Sequence, residues 1–184
     1  MHPLPSTHEE IAAFVSAFEA GTLPKERWTH AAHILSGAWY VHVLGPEAAL
    51  TEMRRHIRAY NEAVGTQNTD SSGYHETITV FWIRMLEHFH CCWVSRKERA
   101  AAFSLRKTPI DVEALHYAYS ENALAAELAR SPEVTRAAFV TEAVEHFGPQ
   151  RDILTRYYSF NVVKSTEARR TWIEPDLMAI GANE

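Results

Sequence analysis

The fold turns on the stretch Gly73-Tyr74-His75-Glu76-Thr77-Ile78-Thr79-Val80-Phe81-Trp82-Ile83-Arg84-Met85-Leu86-Glu87-His88-Phe89-His90-Cys91-Cys92-Trp93-Val94. Its Thr77–Phe81 segment is β-branched and aromatic, a composition that suits a strand. The apolar positions decide otherwise. Ile78, Phe81, Trp82, Met85, Leu86 and Phe89 recur at spacings of three and four, which places them on one face of a helix. The reading is a long helix from about Gly73 to Val94, capped by Ser71 or Ser72.

The same pattern extends in both directions. Thr7 with Glu10 forms a capping box ahead of Ile11, Phe14, Val15 and Phe18, and Gly21 closes that element. Thr29 caps a second helix that carries Ile34, Leu35, Ala38, Trp39 and Val41. Gly45-Pro46 then breaks the chain and starts a third helix, with Ala49, Leu50, Met53, Ile57 and Tyr60 inward. Residues 65–72 are polar and turn-rich, a loop. Ser95 with Glu98 reads as a further capping box, and Thr108-Pro109 and Ser131-Pro132 as further helix starts. Gly148-Pro149 separates the last large helix from Ile153, Leu154, Tyr157 and Tyr158, and Ser165 caps a short helix that runs to Arg170 ahead of Pro175. No stretch alternates with a period of two. The expectation is an all-α protein, one compact helical domain spanning residues 1–184, with about seven or eight helices.

Composition narrows the function classes. The 184 residues are 46% hydrophobic and 22% charged, which excludes a disordered or fibrous chain. A net charge of −5 argues against nucleic acid as a partner. Arg54-Arg55-His56 reads as a solvated helix face. No apolar run approaches the length of a membrane span, and the first residues lack a basic-then-apolar leader. Cys91 and Cys92 are neighbours and poorly placed to bridge each other, which fits the reducing cytoplasm. The sequence has no nucleophile elbow, phosphate-binding loop or dinucleotide fingerprint. The conspicuous count is 11 histidines.

Two clusters draw attention. In Trp28-Thr29-His30-Ala31-Ala32-His33 the imidazoles are three apart on one helix face, a spacing that can grip an ion. In Tyr74-His75-Glu76-Thr77, His75 is read into the first turn of the long helix. If these helix starts face each other, His30, His33 and His75 surround one divalent ion and leave open positions, as a catalytic site requires. Glu76 is then a fourth ligand, a partner of a ligand, or a general base. Its alternative role is to complement the helix dipole. Glu76, Tyr74 and Tyr157 are the candidate catalytic side chains, with Arg156 as an anion clamp. Trp28, Trp39, Tyr74 and Trp82 either wall a pocket or simply belong to the core.

These motifs, Trp28-Thr29-His30-x-x-His33, Asn61–Gly65 and Tyr74-His75-Glu76-Thr77-Ile78-Thr79 with Trp82, resemble an uncharacterised family of small bacterial proteins. The family pairs a Thr-His-x-x-His motif with a Tyr-His-Glu-Thr motif. Tyr157-Tyr158-Ser159, Ser165-x-x-Ala168-Arg169 and Pro175-Asp176-Leu177 are similar to its tail. The resemblance runs from about residue 23 and supports the choice of motifs without naming a substrate.

The leading expectation is a metal-dependent enzyme acting on a small molecule, with zinc, iron or copper as the ion. Zinc would favour hydrolytic, lyase or isomerase chemistry, and iron or copper would favour oxygen chemistry. The alternatives are a non-catalytic helical binding module whose histidines are structural, and a regulatory partner protein. His88 with Cys91 or Cys92 is a weaker metal candidate. His42, His56, His116 and His146 show no ligand-like partner in the sequence.

Overall fold

A computed structural model describes residues 4–105 and 132–181. Thr108-Pro109 and His116 lie outside these residues, as does Ser131. Seven α-helices and two 3-10 turns make up the described chain: α1 (His8–Glu19), α2 (His30–Leu44), α3 (Pro46–Ala63), α4 (Glu76–Leu105), α5 (Pro132–Phe147), α6 (Leu154–Tyr157) and α7 (Thr166–Arg170), with the turns at Lys25–Arg27 and Val162–Lys164. There is no strand among the described residues, so the protein is all-α and forms one compact domain.

The helix starts follow the capping chemistry. Glu10 N–H donates to Thr7 Oγ1 at 3.3 Å, and the Glu10 carboxylate accepts from Thr7 N–H at 3.3 Å, completing the box. Ala32 N–H donates to Thr29 Oγ1 at 3.4 Å, and Ala168 N–H to Ser165 Oγ at 3.1 Å. Pro46 occupies the first turn of α3, where its missing N–H costs nothing.

Helix α2 lies at the centre, packed on α3, α4 and α5, and α1 bridges α3 and α5. Its fully buried Ala32, Ile34, Leu35 and Ala38 meet Phe81, Met85 and Leu86 of α4 and Phe139, Val140 and Phe147 of α5 in one core. Gly37 lets α2 and α4 approach closely. A Cβ there would lie 2.8 Å from Leu86 Cδ1.

Two expectations for α4 are corrected. The helix begins at Glu76, not Gly73, and neither Ser71 nor Ser72 caps it. Ser72 N–H and Ser71 N–H instead donate to Thr69 Oγ1 within the loop. Gly73 holds φ +74°, and a Cβ there would meet Gln67 O at 2.6 Å, so the chain turns at this point before the helix can start. At the other end α4 runs through Ser95 to Leu105. No Gly or Pro interrupts Ser95-Arg96-Lys97-Glu98, so adding the next turn costs less than capping there.

The C-terminal segment folds back over the start of α4. Arg169 donates to Gly73 O and Tyr74 O at 3.2 and 3.0 Å, and Arg170 pairs with Asp70. Among the described residues, no helix is long and apolar enough to cross a membrane. Cys91 is exposed, and both cysteines are free thiols.

Candidate functional site

The two histidine-bearing helix starts have different fates. At the start of α2, His30 Nε2–H donates to Phe147 O at 3.2 Å, and His33 Nδ1–H donates to Thr29 O at 2.8 Å. Each backbone carbonyl fixes its ring's tautomer. His30 Nδ1 and His33 Nε2 therefore carry lone pairs. Burial pulls the His33 imidazole down to about 4, against the smaller upward pull of Thr29 O. Burial also lowers His30, and the nearby Arg151 adds to the effect. Both rings are neutral at neutral pH.

His30 and His33 line a hollow of about 310 Å³ between α2, α3 and α4. Gly37, Met53, Ile57, Ile78, Trp82, Ile83 and Leu86 supply apolar walls, and Thr79 supplies a hydroxyl. Trp82 lies 5.0 Å from the His30 ring, and Trp28 lies 4.1 Å from the His33 ring while stacking on Phe18. Of the four expected wall aromatics only Trp82 lines the hollow. Trp39 sits elsewhere, between His8 and Arg136.

At the start of α4 every polar side chain is engaged. His75 precedes the helix instead of standing in its first turn. Its Nε2–H donates to Val162 O at 3.1 Å and its Nδ1 accepts from Ile78 N–H at 3.4 Å, so the ring acts as a cap and as a tie to the C-terminal segment. Burial lowers its proton affinity too, partly offset by Val162 O. Glu76 accepts from Arg54, with Nε at 3.0 Å, and from Tyr74 Oη at 2.8 Å. Burial pushes the Glu76 carboxyl up, but the bonds from Arg54 and Tyr74 outweigh it and hold the group below its ordinary range. Burial and the Glu76 bond raise the Tyr74 phenol. Arg58 lies 4.0 Å over the Tyr74 ring. Thr77 Oγ1 donates to Thr171 O at 2.7 Å and accepts from Ile173 N–H at 3.0 Å.

Arg54 therefore does not stand on a solvated face. It neutralises a buried carboxylate 22 positions away. No local signal reveals that pairing, because Arg54 and Glu76 sit on different helices. Tyr157 packs edge-on against Phe81 at 4.9 Å, and Arg156 is exposed on α6.

The structure thus brings His30 and His33 to one hollow and holds His75, Glu76 and Tyr74 in a neighbouring network of their own. Among the described residues, no three His, Cys, Asp or Glu side chains are grouped to hold an ion. The full His30–His33–His75 set does not fit a metal as these side chains stand. The weaker candidate His88 meets Cys92 Sγ at 3.7 Å and belongs to no such group among the described residues. Comparison of the chain with protein-family models, curated proteins and solved structures found no match.

Proposed function

We propose that this protein binds a small, mostly apolar molecule bearing one hydrogen-bond donor in the hollow between α2, α3 and α4. The observation that carries this reading is His33. Its Nδ1–H is committed to Thr29 O, which leaves Nε2 as the acceptor of a ring that lines a largely apolar space. Apolar walls with one or two placed polar groups are the usual composition of a small-molecule site. An apolar cavity of about 150 Å³ already admits benzene, so a single aromatic ring or a short aliphatic chain fits here. His33 orients the ligand by accepting its O–H or N–H. A ligand without that donor leaves the nitrogen dry and loses affinity.

Phenol and its donor-free counterpart toluene test this. Titrations followed by methyl NMR at Ile57, Ile78 and Ile83 should show phenol binding more tightly than toluene. His33→Phe should weaken phenol at least about tenfold and leave toluene nearly unchanged. Equal binding of both ligands, or phenol shifts away from these methyls, would overturn the reading.

A second reading keeps the metal-dependent enzyme in reduced form. Histidines that bind metals commonly give their other ring N–H to a backbone carbonyl, and both His30 and His33 do so. A zinc, iron or copper ion there would polarise a bound oxygen or nitrogen group, with substrate or water filling the remaining positions. The chain's part is to hold two neutral imidazoles beside an apolar hollow. Elemental analysis of untagged protein should then give about one ion per chain, lost in both His30→Phe and His33→Phe. A metal-free chain that takes up none on reconstitution removes this reading and leaves the first intact.

A further inference from the structure

His42 shows no ligand-like partner in the sequence, yet the fold places it against His90. They stand 48 positions apart on α2 and α4, with His42 Nδ1 and His90 Nε2 at 3.1 Å. Zinc binds imidazole nitrogen at about 2.0–2.1 Å, so two ligands lie about 2.9 Å apart at a right angle and about 3.4 Å apart at a tetrahedral one. The observed separation falls between these values.

We propose that His42 and His90 form a two-imidazole site for one divalent transition-metal ion of the zinc type, joining α2 to α4. The rings are already held in place. Phe139 stacks on His42 at 5.5 Å and meets His90 edge-on at 4.7 Å, and Trp93 lies 6.4 Å from both. Both rings are only partly buried, so a hydrated ion reaches them. Burial lowers both imidazoles, His42 to about 4, so neither carries a competing proton at neutral pH. Entry of the ion replaces the N–H···N bond with two metal–nitrogen bonds, and the donor ring's proton moves through solvent to that ring's other nitrogen, so both rings bind as neutral imidazoles. The facing cation is Arg136, which lies near His42 and opposes a dication. With two protein ligands and Arg136 nearby, the site binds more weakly than a four-ligand structural zinc centre, and water completes the shell. The pair is separate from His30 and His33. Nine positions along α2 from His33 to His42 are about 13 Å.

The test uses the untagged full chain and zinc chloride. Equilibrium dialysis should give one zinc per chain, and zinc should raise the thermal midpoint by about 3–6 °C, reversed by chelator. His42→Phe and His90→Phe keep the ring packing and should each weaken uptake at least tenfold, whereas His33→Phe leaves it unchanged. If the variants fold poorly, imidazole nitrogen NMR of the wild type decides. Zinc should shift His42 Nδ1 and His90 Nε2 and leave the His33 nitrogens unmoved. No uptake at about 1 mM zinc overturns the proposal and leaves a plain hydrogen-bonded pair. Uptake lost only in His33→Phe overturns it too, and assigns the ion to the other histidine pair.

Discussion

The start of α2 and the start of α4 carry the same kinds of side chain and use them in opposite ways. At α2, two imidazoles each spend one nitrogen on a backbone carbonyl, and both rings line a hollow. At α4, His75, Glu76, Tyr74 and Thr77 spend their polar atoms on Val162 O, Arg54, each other and the backbone at 171–173. A chemically rich motif is therefore not a functional one by composition alone. What matters is whether its polar atoms are already paired, since a ligand must displace the partner of a paired group before it can bind.

The largest effect expected from this contrast is at Glu76. Glu76→Ala leaves the Tyr74 hydroxyl and the Arg54 guanidinium without their shared acceptor, and should lower stability by about 2–4 kcal/mol in urea unfolding. A loss below about 0.5 kcal/mol would show that the α4 start is not a structural clamp. Next comes Thr77→Val, which removes both bonds to the C-terminal segment. It should cost about 1–2 kcal/mol and raise amide exchange at residues 171–173, read by exchange mass spectrometry.

The histidines give the sharpest pairing. His75→Phe should cost about 1–2 kcal/mol and leave phenol affinity within about twofold, while His33→Phe should cost less than about 1 kcal/mol and abolish the preference for phenol over toluene. The reverse pattern would exchange the roles assigned to the two helix starts.

The smallest expected effect is in the pH profile. His33 and His42 sit at about 4 in the folded chain, against about 6.5 for an unfolded imidazole. Unfolding therefore takes up protons below about pH 6.5. The stability from these neutral rings is fully present above that pH and declines as pH falls toward about 4. His33→Phe or His42→Phe should flatten part of that decline in acid titrations monitored by circular dichroism. An unchanged slope in both would show that neither ring is held neutral by the fold.

The caps and breakers were legible because they act within a turn. Thr7 with Glu10, Thr29, Pro46 and Ser165 do what their spacing demands, since a side chain three residues from an amide has few other places to go. The all-α class was legible in Ile78, Phe81, Trp82, Met85, Leu86 and Phe89, whose period outweighs the strand preference of Thr77–Phe81. The start of α4 was misplaced because Gly73 must turn against Gln67 before a helix can begin, and that contact arises only after the loop closes.

The all-α class, the caps at Thr7, Thr29 and Ser165 and the two histidine-bearing motifs can be read along the chain. Only the tertiary structure decided which histidines keep a nitrogen available. Arg54 with Glu76, His75 with Val162 O and His42 with His90 are pairings across helices and across dozens of residues. Helix formation is governed by neighbours within four positions, and so it can be read along the chain. The pairing of a side chain's polar atoms is governed by whatever the packed core brings against it, and no local pattern encodes that.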